Sequence, residues 1–131
     1  MKAKITKAKG TALDAETKVG PVNLFLHSLF SHLDVSLNER LISASTNTHP
    51  YRAMIETLFN YGGDAKSSQL SMAMFSKDSP GKMDVVDIVA DGADAYMGLK
   101  ARYTFTKQSN IVDMMGPILS DIFFQDRLIL N

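Results

Sequence analysis

At the start of the chain Ala3 and Ile5 alternate with Lys2, Lys4 and Thr6, a period that predicts a β-strand. The polar stretch from Thr11 to Gly20 then predicts an exposed loop. From Asn23 the sequence is densely apolar and turns to strict alternation, with Leu33, Val35 and Leu37 opposing Asp34, Ser36 and Asn38. Such a pattern describes a strand with one wet face. Asn38-Glu39 suits a tight turn into a second short strand, Arg40 to Ser43.

The period changes in HPYRAMIETLFNYG. Asn47 and Thr48 offer capping oxygens, Pro50 pre-sets the first turn and Gly62 lies past the end, so a helix is predicted. Tyr51, Met54, Ile55, Leu58 and Phe59 fall at the spacing of one buried face, with Arg52, Glu56 and Asn60 left for solvent. Asp64 opens a second, weaker helix running to about Phe75, with Leu70, Ala73 and Met74 facing inward. Ser76 to Met97 reads as a long surface loop with a turn at Pro80-Gly81. Leu99, Ala101, Tyr103 and Phe105 alternate with Lys100, Arg102, Thr104 and Thr106, the pattern of a half-buried strand. The closing stretch holds a short apolar strand, a Gly116-Pro117 break and a compact apolar segment at Ile122, Phe123 and Phe124. The predicted class is mainly β with inserted helices (α+β), and the core or interface candidates are Leu33, Val35, Leu37, Tyr51, Met54, Ile55, Leu58, Phe59, Tyr103, Phe105, Phe123 and Phe124.

With 131 residues, 45% of them hydrophobic, the chain fits a single domain spanning 1–131 with a buried core. Its 14 basic and 14 acidic side chains cancel, so no long-range field recruits nucleic acid or an acidic membrane, and direct specific nucleic-acid binding is not expected. The absence of cysteine excludes disulfides and thiolate zinc sites and suits a reducing compartment. Lysines stand where a signal peptide has its apolar run, and no stretch reaches the roughly 20 apolar residues of a membrane span. The expectation is an unsecreted protein of the cytoplasm or nucleus, without a membrane partner.

Motifs for chemistry are scarce. There is no phosphate-binding glycine loop, nucleophile elbow or paired-histidine zinc helix. His27 and His32 are five residues apart, a spacing that does not aim both rings at one ion, and His49 is remote in sequence. Asp84, Asp87, Asp91 and Asp94 form an acidic cluster whose spacing departs from the known calcium loop. Glu56 and Asp34, the candidate acid and base, both fall on faces expected to be exposed. No enzyme activity, cofactor or metal is expected. Met72, Met74, Met114 and Met115 read as core filling or as an adaptable contact surface.

Two stretches carry a resemblance: VGPVNLFLHSLFSHLDVSLNERLIS followed by THPYRAMIETLFNYGGDAKSSQLSMAMFSKD, and the later GLKARY with VDMMGPILSDIFFQDRLILN. They resemble the capsid proteins encoded by Polinton (Maverick) transposable elements and related adintovirus-like elements, most specifically from Asn23 to Asp78. The resemblance implies a structural virion protein, either the major capsid protein with its double jelly roll or a minor, penton-like one. It further implies self-association, as a homotrimer in the intact major protein, and contacts with other capsid proteins. On this reading the chain is an incomplete first jelly roll, a partial β-sandwich. Strands are expected before Lys2 and after Asn131, and exposed strand edges are expected to drive association. The alternative, drawn from the residues alone, is a small non-enzymatic protein-binding module.

Overall fold

The computed structural model describes residues 1–43, 46–85, 87–89, 92 and 95–124. Its elements run β1 (Lys2–Ala3), α1 (Phe25–Ser28), β2 (Ser36–Leu37), β3 (Arg40–Leu41), α2 (His49–Asn60), α3 (Gly63–Ser67), a 3₁₀ turn at Gln69–Ala73, α4 (Met97–Thr106), a 3₁₀ turn at Lys107–Ser109, β4 (Val112–Asp113) and a last 3₁₀ turn at Asp121–Phe124.

The partial jelly-roll sandwich and the mainly-β class are overturned. Among the described residues the strands are four two-residue segments, paired as two separate antiparallel ladders, β1 with β4 and β2 with β3. A sandwich needs two sheets stacked face to face, and two-residue ladders offer too little surface for that. The helices α2 and α4 are the longest elements instead.

The hairpin forms where its turn chemistry predicts. Ser36 pairs with Leu41 and Leu37 with Arg40, and the two loop residues Asn38 and Glu39 both adopt positive φ, 48° and 64°. That is the primed turn whose twist matches antiparallel strands. Val35 extends the pairing by accepting the Ile42 N–H at 2.9 Å. β1 and β4 join residues from distant parts of the sequence, Ala3 opposite Val112, and Met114 donates its N–H to the Met1 carbonyl at 2.7 Å.

Among the described residues the interior holds two apolar clusters. Leu24, Leu70, Ala73 and Phe75 form one, with Leu26, Met54 and Tyr61 packed on it. Met74, Val112 and Met114 form the other, against Ala3, Phe25 and Leu26. Leu26 therefore bridges the two. The inward set predicted for the second helical stretch, Leu70, Ala73 and Met74, is buried, although the backbone breaks into α3 and a 3₁₀ turn. Met74 ends that turn in the left-handed region, φ 63°. Of the four methionines singled out, Met74 and Met114 fill these clusters, while Met72 and Met115 are exposed.

The segment predicted as a strand around Leu99 to Thr106 is the helix α4. Its alternation of apolar and polar residues is short, and Met, Leu, Ala, Lys and Arg all favour a helix. Wound as a helix, Leu99 and Tyr103 come to one side and pack against Gly20, where an added Cβ would lie 3.0 Å from Leu99 Cδ1. Phe105, expected on the same face, turns out to solvent with 61% exposure.

A charged clasp fixes α4 to the rest of the chain. Arg102, almost fully buried, donates from Nε to the Pro21 carbonyl at 3.0 Å, and from Nη1 to Asp78 Oδ1 at 2.9 Å and the Ser76 carbonyl at 3.3 Å. Asn23 completes the network: its Nδ2 donates to Ser76 O and Asp78 Oδ2, and its Oδ1 accepts the N–H groups of Ser76 and Leu24. The last bond offsets part of the cost of holding Leu24, a buried non-glycine residue, at φ 51°. Gly98 makes the approach possible, because a Cβ there would collide with the Asp78 carboxylate and lie 2.9 Å from the Lys77 carbonyl.

Candidate functional site

α2 starts at His49 with Pro50 in its first turn, as its sequence predicts. Its N-cap Thr48 makes no side-chain cap bond; the hydroxyl sits 2.8 Å from that of Thr46. The face the helix buries differs from the apolar stripe. His49, Ala53 and Thr57 point inward, whereas Tyr51, Ile55, Leu58 and Phe59 are exposed by 73%, 56%, 51% and 83%. Met54 alone of the predicted stripe packs partly on the core. The expected solvent face is corrected as well: Arg52 and Glu56 form a partly buried ion pair, Nε to Oε1 at 2.6 Å, and only Asn60 is fully on the outside. The physical reason is volume. The side of α2 that meets α1 admits Ala53 and Thr57 closely, and the four large side chains do not fit there.

The remaining core or interface candidates divide in the same way. Tyr103 is buried, and Leu33 and Val35 are half-buried with Asp34 and Ser36 outside, as the alternation predicts. Leu37, Phe105, Phe123 and Phe124 are exposed, so they are no part of this chain's own core. Asp91 and Asp94 of the acidic cluster lie outside the described residues. Asp87 pairs instead with Lys18 at 2.8 Å, and its hydrogen bond from Lys18 holds its carboxyl below the usual range.

Between α1, the start of α2 and the Gly116–Leu119 segment lies an apolar groove of about 240 Å³. Leu26, Phe30, Leu33, Ile118 and Leu119 supply its apolar walls, and the imidazoles of His27 and His49 also line it. Those two residues are 5% and 8% exposed, and their ring centroids are 5.6 Å apart at an interplanar angle of 53°. Sequence spacing directs attention to His27 with His32; the fold pairs His27 with His49 across two elements. His32 stays outside, 3.0 Å from the Ser31 hydroxyl and 4.0 Å from Asp34. Gly116 allows the closing segment to approach, since a Cβ would come within 2.9 Å of Leu26 and 3.3 Å of His27 Nε2. The only sequence signal for this site is the Gly116-Pro117 break, and it does not say what packs against the glycine.

Burial lowers the pKa of His27, and the neighbouring His49 lowers it further, against an opposing pull from Glu56. His49 is lowered by burial and by Arg52, again opposed by Glu56. Both rings are therefore neutral at neutral pH, each with one donor and one acceptor nitrogen. Among the described residues no group of three or more histidine, aspartate or glutamate side chains is placed to hold a metal ion. Glu56 and Asp34, imagined as an acid and base, go to different partners, Arg52 and His32. What this region offers is apolar surface with two neutral polar points in it. Among the described residues, no helix is long and apolar enough to cross a membrane. Comparison with protein-family models, with curated proteins and with solved structures finds no match to the chain.

Proposed function

We propose that this chain is a non-catalytic structural protein of the capsid kind, which builds an assembly by packing its exposed apolar faces against other protein chains, copies of itself included. The observation that carries the reading is the outer face of α2, where Tyr51, Ile55, Leu58 and Phe59 stand at helical spacing and are each more than half exposed. Fully burying a side chain of this kind is worth roughly 1.5 to 3 kcal/mol, and each of these forgoes about half of that or more while it faces water. Clustered on one face, they mark a protein–protein contact. The resemblance of Asn23 to Asp78 to Polinton-type capsid proteins supports the same reading, because shell subunits act through shape and contact. The association expected from open strand edges is thereby reassigned to a helix face.

Sedimentation of the wild-type chain over a wide concentration range tests this. Concentration-dependent oligomers are expected, and a Tyr51→Ser, Phe59→Ser double variant should shift them toward monomer with its helical circular dichroism intact. A wild type that stays monomeric throughout contradicts self-assembly, and one that holds a single saturable partner would make the chain a binding module.

A further inference from the structure

We infer that the His27–His49 contact is an acid-sensitive latch, which keeps α1 against the start of α2 while both rings are neutral and releases them when the rings take up protons. This goes beyond the assembly reading and does not depend on it.

The geometry puts two imidazoles from separate elements face to tilted face, 5.6 Å between centroids, with under a tenth of either residue exposed. The groove walls are apolar, and Gly116 lies close over Leu26 and His27, where an added β-carbon would come 2.9 Å from Leu26 and 3.3 Å from His27 Nε2. Two positive charges held so close, screened by little water, repel strongly. The groups around the pair do not offset this. α1 contributes no other titratable side chain, and neither Gly116–Ser120 nor Gln69–Ala73 contributes any; the segment that lines the groove with Phe30 and Leu33 carries His32 and Asp34, which are exposed and lie 4.0 Å from each other. α2 brings Glu56, which favours protonation of both rings, but Glu56 is already paired with Arg52, and Arg52 disfavours protonation of His49. One proton is thus poorly tolerated and a second worse, so the pair titrates as a coupled unit.

The sign follows from linkage. Both rings have pKa values below the ordinary 6.5 when closed, so the open form binds more protons as pH falls below 6.5. The latch is fully closed above that value and loosens progressively beneath it. The contacts released with it are the His49 N–H to Ser31 carbonyl bond and the Phe30 N–H to His27 carbonyl bond, both 3.3 Å.

Amide hydrogen exchange, corrected for intrinsic rates, reads this directly on the full chain. Lowering the pH from about 7 to about 5 should raise opening at Phe30 and His49 by roughly tenfold for each unit by which a ring is depressed, while the Met114 amide in the β1–β4 ladder stays protected. In a His27→Gln, His49→Gln variant the pH dependence should disappear. Equal loss of protection at Met114 would mean global acid unfolding and overturn the latch, as would pH dependence that survives in the double variant. Should that variant not fold, ring NMR on a His32→Gln background decides: titration of His27 and His49 below 6.5 in the native chain supports the latch, and titration at the ordinary value removes it.

Discussion

The two long helices, α2 and α4, bury the same kind of row by different chemistry. In α2 the inward residues are His49, Ala53 and Thr57, and in α4 they include Gly98, Arg102 and Thr106, in each case one residue every four. Neither row is an aliphatic stripe. α2 fits by being small and by holding a neutral ring; α4 fits by being small and by carrying a charge that finds Asp78 and two carbonyls. Meanwhile several large apolar residues of both helices, Phe59 and Phe105 among them, remain outside. The contrast teaches that in this chain close approach and specific polar bonds help decide which face turns inward, and part of the apolar area stays exposed.

The sharpest way to break the comparison is at Arg102. Arg102→Ala should cost roughly 3 to 5 kcal/mol in urea denaturation, because Asp78 and the Pro21 and Ser76 carbonyls lose a donor that water reaches poorly. A loss below about 1 kcal/mol would show that α4 is held by its apolar contacts after all. The matching change in α2 is smaller. Ala53→Leu, at a position with no exposed surface, should destabilise by about 1 to 3 kcal/mol through overpacking, and no change in the melting transition would mean the α1–α2 contact is loose. The least effect on folding is expected on the outer stripe: Leu58→Ala should stay within about 0.5 kcal/mol of wild type. A cost of several kcal/mol there would put the stripe in the core, where its spacing alone had placed it.

What was legible in the sequence was local. The β2–β3 hairpin follows from the turn at Asn38-Glu39, of which Asn38 tolerates the left-handed backbone, and α2 follows from Pro50 and a clear helical period, because both signals lie within a few residues. The type of α4 was hidden, since four alternating pairs satisfy a strand as well as they satisfy a short helix, and the deciding contacts lie at Gly20, Pro21 and Asp78. The orientation of α2 was hidden for a related reason. Periodicity names a stripe but not its partner, and Ala53 and Thr57 carry no pattern that announces burial. His27 with His49 was likewise beyond reach, because the groove is closed by Gly116, distant from both in sequence.

The Arg102 clasp also sets an order of events. Its bond to Pro21 spans 81 residues and its bond to Asp78 spans 24, so it forms only after a long loop has closed, at an entropic cost that grows with loop length. The hairpin and α2 need no such closure and can form early. A contact made that late adds to the native state more than to the barrier before it, so the clasp acts chiefly as a brake on unfolding and lengthens the lifetime of the native state.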